Sequence, residues 1–73
     1  MINYKVLGKR IYRLRKAKGW RMQDLSNECE VSITTICQLE SAKLTNVEVG
    51  TLGKIAGVFG LTFSQLIDEE EAV

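Results

Sequence analysis

The sequence predicts an all-α protein, a compact set of five short helices forming one domain over residues 1–73. Three observations predict it. Apolar residues recur three and four apart along successive segments, and no segment alternates as a strand does. Helix start and stop residues stand between those segments: Gly19, Ser32, Gly60 and the box Thr62-Phe63-Ser64-Gln65. Proline is absent, so nothing forbids helix in any of them.

The first helix is expected from about Tyr4 to Lys18, with Leu7, Ile11 and Leu14 on one face and Lys5, Lys9, Arg13 and Lys16 mainly on the other. Gly19 stands at the C′ position, where a positive φ suits glycine. The second helix starts near Arg21 or Met22 with no Ser, Thr, Asp or Asn as N-cap, which makes its start weak. Trp20 can staple onto Leu25 there and serve as a lid over the helix junction.

Residues Met22 to Glu40 organise the rest: two short helices with Val31 in a tight turn and Ser32 as N-cap of the second. Val31 and Ile36 form a hydrophobic staple around Ser32. Helices this short are not stable alone, so the pair reads as a helix–turn–helix at about 22–41, held by its neighbours. On a wheel of about 100° steps, Ile36, Leu39 and Glu40 point inward. Thr34 and Gln38 point outward with Ser41 nearby, and Ile33, Thr35 and Cys37 lie on the flanks.

A loop, Ala42 to Thr45, leads to a fourth helix with Asn46 as N-cap and an end near Phe59. Leu52, Ile55, Ala56 and Phe59 make its core face, and Gly50, Gly53 and Gly57 sit together opposite. That strip reads as a weak helix or as a surface for close backbone approach. Gly60 ends the fourth helix. The fifth begins with Thr62 as N-cap and Gln65 at N3, stapled by Leu61 and Leu66. Residues 68–73 form an acidic tail.

At 73 residues with 45% apolar content, the chain is expected to fold around one small core. No apolar run approaches a membrane span and no signal-peptide pattern opens the chain. There is no histidine, and Cys29 and Cys37 lack metal or CxxC spacing, so they read as reduced thiols. No catalytic constellation, metal site, cofactor motif or small-molecule pocket is legible.

The formal net charge of +1 conceals an asymmetry. Residues 1–21 hold Lys5, Lys9, Arg10, Arg13, Arg15, Lys16, Lys18 and Arg21 and no acid, whereas the remainder holds every acid and only Lys43 and Lys54 as bases. Local potential governs encounter with a polyanion, so the basic segment points to an anionic partner.

Four segments in this order, LGKRIYRLRKAKGW, QDLS, VSITTICQLE and TLGKIAGVFGLTFSQLI, resemble the Cro/CI-type (XRE) helix-turn-helix DNA-binding domains over nearly the whole length. The resemblance implies a lambda-repressor-like five-helix fold and a cytoplasmic, bacterial or phage, nucleoid-associated regulator without a cofactor. It implies a homodimer on double-stranded operator DNA, with the third helix in the major groove. Base contacts are then expected from Ile33, Thr34, Thr35 and Gln38. Phosphate contacts are expected from Arg21, Met22, Gln23, Lys43, Thr45 and Asn46. Arg15 and Glu40 fall at family positions that form an internal ion pair. Val47, Val49, Phe63 and Ile67 are apolar residues surplus to a small core and make a candidate dimer interface. The chain departs from the family pattern at several positions: Arg21 stands where Ser or Thr is frequent and Met22 where Gln is, Glu30 and Ala42 replace usual glycines, and Val47 replaces the usual proline. A protein-interaction module on the same fold, such as an antitoxin or antirepressor, is the alternative, favoured by the uncharged third helix.

Overall fold

The computed structural model describes residues 2–44 and 46–68. Among them are five helices: α1 (Tyr4–Ala17), α2 (Met22–Cys29), α3 (Ile33–Glu40), α4 (Val49–Val58) and α5 (Phe63–Ile67). No strand occurs among the described residues. Each helix contributes to one hydrophobic cluster, whose fully buried members are Leu7, Ile11, Leu25, Ile36, Leu39, Leu52, Ile55 and Leu66. α1 lies across α3 and α5, while α2 bridges α3 and α4.

The helix ends explain why such short elements hold. Asn3 caps α1, its Oδ1 accepting from the Lys5 and Val6 backbone N–H groups at 3.1 and 3.2 Å. At the other end Gly19 adopts φ +71°. The Trp20 N–H then donates to the Arg15 carbonyl at 3.1 Å and the Gly19 N–H to the Lys16 carbonyl at 2.9 Å, a Schellman ending. α4 ends the same way through Gly60, with the Leu61 N–H donating to Ala56 at 2.9 Å. α5 carries the full capping box: Thr62 Oγ1 accepts from the Gln65 N–H at 3.1 Å, and Gln65 Oε1 accepts from the Thr62 N–H at 2.9 Å.

One boundary differs from the sequence expectation. α4 has Glu48, not Asn46, as its N-cap, while it ends where expected, with Phe59 as its C-cap. The Val47 N–H donates to the Tyr4 hydroxyl at 3.4 Å, which ties this stretch to α1, and Glu48 is still extended at ψ 141°. The start of α2 is also better satisfied than its N-cap residue suggests. Asp24, three residues in, accepts from the Arg21 N–H at 2.8 Å, half of a capping box. Nothing lies within 4 Å of a Cβ built on Gly50, Gly53 or Gly57, so no described backbone uses that strip for close approach. The expected acidic tail begins at exposed Asp68, and residues 69–73 lie outside the described residues.

The turns on both sides of α3 place side chains where glycine is usual. Glu30 ends α2 at φ 58° and ψ 35°, and Ala42 follows α3 at φ 58°. The Ala42 turn still makes the Schellman bonds, with Lys43 N–H to Gln38 O at 2.9 Å and Ala42 N–H to Leu39 O at 3.1 Å. A left-handed conformation costs an L-residue about 1–2 kcal/mol, partly offset by the unfolded-state entropy that glycine adds. Glu30→Gly and Ala42→Gly are each expected to stabilise the fold by about 0.5–1 kcal/mol. Urea unfolding checks this, and a lower midpoint in both variants would show that neither backbone is strained.

Candidate nucleic-acid interface

α3 is fixed from behind and open in front. On its inner face Ile36 and Leu39 are buried, and Glu40 reaches α1. Arg15 Nε donates to Glu40 Oε2 at 2.8 Å and Arg15 Nη2 to Glu40 Oε1 at 2.9 Å, a bidentate ion pair. The third direction of the guanidinium is also used, because Nη1 donates to the Trp20 carbonyl at 2.9 Å. One buried side chain thus joins the end of α1, the entry to α2 and the end of α3. The hydrogen bond to Glu40 raises the Arg15 pKa above its already high ordinary value, against the lowering effect of burial.

The turn before α3 is clasped as well. Ser26 Oγ donates to the Val31 carbonyl at 2.6 Å, and Val31 and Ile36 are both buried around the Ser32 cap. Ser32 Oγ accepts from the Thr35 N–H at 3.2 Å. Trp20 is half-buried over the junction, its ring centroid 6.0 Å from that of Phe59 and the Lys18 ammonium 5.1 Å from its own. It forms a lid there and offers little surface to a ligand.

The outward face of α3 consists of Ile33, Thr34, Cys37 and Gln38, all exposed, Ile33 by 40%. Thr35 is half-buried, and its hydroxyl is hydrogen-bonded to Ser32 Oγ at 2.8 Å. At the edges Arg21, Gln23, Lys43 and Asn46 are exposed, and Gln23 Nε2 donates to Asn27 Oδ1 at 3.0 Å. Met22 is half-buried against the core. Its thioether is no hydrogen-bond donor, so at this position only the backbone N–H groups of the first turn of α2 can donate. Thr45 lies outside the described residues. Of the surplus apolar residues, Val49 is 62% exposed, whereas Val47, Phe63 and Ile67 are half-buried at the margin of the core.

The basic segment divides into two uses. Arg15 is taken by its ion pair, and Arg10 Nη1 donates to the carbonyls of Gln65 and Leu66 at 3.1 and 2.9 Å, capping α5 onto α1. Lys5, Lys9, Arg13, Lys16, Lys18 and Arg21 are exposed and set the positive field around α1 and the start of α2. Burial pushes the Cys29 thiol up, which disfavours the thiolate, and both cysteines are free. Among the described residues, no group of three His, Cys, Asp or Glu side chains could hold a metal ion, and no helix is long and apolar enough to cross a membrane.

Sequence reasoning passed over Gly8 and read Arg10 only as one more base of the positive segment. Gly8 carries the clearest signal, an isolated glycine inside a strong helical pattern with no turn to explain it. A Cβ there would collide with the Leu39 carbonyl oxygen and stand 3.0 Å from that of Glu40. Gly8 is therefore what lets α1 lie directly on the end of α3.

The helical framework that carries the outer face of α3 is shared with known proteins. The sequence model of the Helix-turn-helix family matches residues 11–66. The chain belongs to the Cro/CI-type (XRE) helix-turn-helix family. That family consists of non-enzymatic DNA-binding proteins. The HTH-type transcriptional regulator DdrOP3 of Deinococcus deserti is 29% identical over 65 residues, covering 89% of this chain and 50% of the relative. The chain thus spans half the length of that curated regulator. Among solved structures, a chain of the SinR protein/SinI protein complex superposes with a TM-score of 0.81 at 28% identity, covering 86% of this chain and 61% of that one. A hypothetical transcription factor NHTF from Neisseria superposes with a TM-score of 0.79 at 25% identity, covering 88% and 72%. The five-helix XRE fold accounts for both likenesses.

Proposed function

We propose that this XRE-family chain binds operator DNA as a homodimer and regulates transcription, with α3 entering the major groove. The observation that carries the reading is the α3 face itself. Thr34 and Gln38 stand exposed at the centre of a helix braced by Arg15, with exposed Arg21 and Lys43 at the two ends of the motif. Thr34, Gln38 and the flanking Ile33 and Thr35 supply base contacts, Thr35 through its methyl because its hydroxyl serves the cap. Arg21, Gln23, Lys43, Thr45, Asn46 and the backbone at Met22 supply phosphate contacts. The working compartment is the cytoplasm, with the nucleoid.

Fluorescence anisotropy on a selected duplex tests the assignment. Gln38→Ala is expected to relax preference at one base position at a cost of about 1–3 kcal/mol. Lys43→Ala is expected to weaken all sequences alike and to reduce the salt slope by about 1. Unchanged base preference after altering both Thr34 and Gln38 would remove α3 from the mechanism.

The homodimer follows from reach. An eight-residue helix spans roughly 12 Å, enough for only three or four base pairs. That is too few to single out one site in a genome, so two copies on a two-fold axis read half-sites about one turn apart. Val49, with Val47, Phe63 and Ile67 beside the core, supports a self-complementary contact. Val49→Lys is expected to leave the monomer folded and abolish the dimer in sedimentation at micromolar concentration. A parent monomeric both free and on a palindromic site would sink the model.

A second reading is supported by the apolar Ile33 and the thiol of Cys37 on the outer face of α3, and by the protein partner in the SinR protein/SinI protein complex. It makes this chain a protein-interaction module such as an antitoxin or antirepressor. Absence of salt-dependent binding to random genomic DNA fragments would favour it.

A further inference from the structure

The outer face of α3 restricts which bases it can read, and the restriction comes from side chains already occupied as much as from those present. We propose that this chain recognises half-sites made of A·T pairs, with Ile33 packing on a thymine methyl and Gln38 reading an adenine. The proposal rests on the DNA-binding reading above and specifies its ligand.

Residues 31–39 contain no charged side chain. Guanine presents two acceptors, O6 and N7, in the major groove and is read by the paired donors of arginine or by lysine. Lys43, the nearest base in sequence, stands beyond the helix end, past the left-handed Ala42. The hydroxyls that could accept or donate freely are reduced in number. Thr35 Oγ1 is bonded to Ser32 Oγ at 2.8 Å, and Ser41 Oγ turns back to the Cys37 carbonyl at 2.9 Å. What remains exposed is Ile33, Thr34, Cys37 and Gln38.

Gln38 offers one donor and one acceptor side by side, which matches adenine N7 and N6 and opposes its own oxygen to guanine O6. Ile33 offers only methyl groups. It is 40% exposed at the first residue of α3, on the outer face rather than in the core. The apolar feature of the major groove is the thymine C5 methyl. Ile33 and Gln38 are separated by a rise of roughly 7.5 Å and by about 140° around the helix, Gln38 pointing straight out and Ile33 lying on the exposed flank at the N-terminal end. The two contacts therefore fall on nearby positions of one half-site.

The test begins with selection by the unaltered chain from a pool of random-sequence duplexes. Enrichment of A·T pairs at the positions covered by α3 is expected. Each thymine of the selected half-site is then replaced in turn by deoxyuridine, which removes the methyl and leaves every hydrogen-bonding group. At one position the parent should bind about fourfold more weakly to the deoxyuridine duplex, the value of one methyl removed from water. Ile33→Ala should bind both duplexes alike, with helical content unchanged by circular dichroism. Enrichment of guanine at those positions, or a parent indifferent to every deoxyuridine substitution, overturns the A·T proposal while leaving DNA reading by α3 intact. Salt-dependent binding with no enriched sequence overturns sequence readout itself, and this proposal with it.

Discussion

Glu40→Gln is expected to destabilise the protein by about 3 kcal/mol, lowering the thermal midpoint by roughly 12 °C or more. A domain of this size has only about 4–11 kcal/mol of stability in total, so the loss is a large fraction of it. The reason lies in what is left behind. Arg15 is 6% exposed, and two of its three hydrogen-bonding directions end on the Glu40 carboxylate at 2.8 and 2.9 Å. Glutamine keeps one acceptor and removes the charge, so the guanidinium stays in place with its charge unpaired. Replacing both partners together by apolar residues of similar volume, Arg15→Met with Glu40→Leu, should cost much less than either single change. A double-mutant cycle separates the value of the pair from the penalty of an orphaned charge. If Glu40→Gln unfolds at the parent's denaturant midpoint, the ion pair contributes nothing to the fold. The expected consequence for DNA is separate: Arg15 also holds the Trp20 carbonyl, so the double variant should fold but present α3 less rigidly and discriminate bases less.

The fold was legible because its main signals are local. Leu7 and Ile11, Leu25 and Cys29, and Ile36 and Leu39 are buried where their spacing places them, and Gly19, Ser32, Gly60 and Thr62 stand at the helix ends they announce. The outward display of Thr34 and Gln38 was equally accessible, since a short helix with Ile36 and Leu39 inward leaves them no other direction. What sequence alone did not reach depends on atoms distant in the chain. Asn46 is a good N-cap residue by type, but the chain stays extended through Glu48, and the Val47 N–H, 43 residues from Tyr4, ties that stretch to α1 through the Tyr4 hydroxyl. Arg10 reads as one more base in a positive segment until α5 brings the carbonyls of Gln65 and Leu66 to it. Thr35 reads as a side chain with a free hydroxyl until Ser32 Oγ is found bonded to it at 2.8 Å.

Gly8 and Gly53 are expected to respond to the same substitution with opposite signs. Both stand inside helices, so alanine raises helix propensity by about 1 kcal/mol at either site. At Gly53 nothing lies within 4 Å of the new methyl, and Gly53→Ala should therefore stabilise the protein by most of that amount. At Gly8 the methyl would collide with the Leu39 carbonyl oxygen and press on the Glu40 carbonyl carbon at 3.2 Å. These are backbone atoms and cannot rotate aside as a side chain would, so α1 and α3 must move apart. Overpacking of this kind costs about 1–3 kcal/mol when side chains can adjust, and here the helices themselves must shift. The separation would also stretch the Arg15–Glu40 pair, because that bridge spans the same two helices. Gly8→Ala is thus expected to destabilise by about 2 kcal/mol net, and Gly8→Val by more, since valine adds bulk and loses propensity. Urea unfolding of the two alanine variants beside the parent decides it. A Gly8→Ala midpoint at or above the parent's would mean that α1 does not rest on the end of α3, and that the bracing of α3 must come from elsewhere.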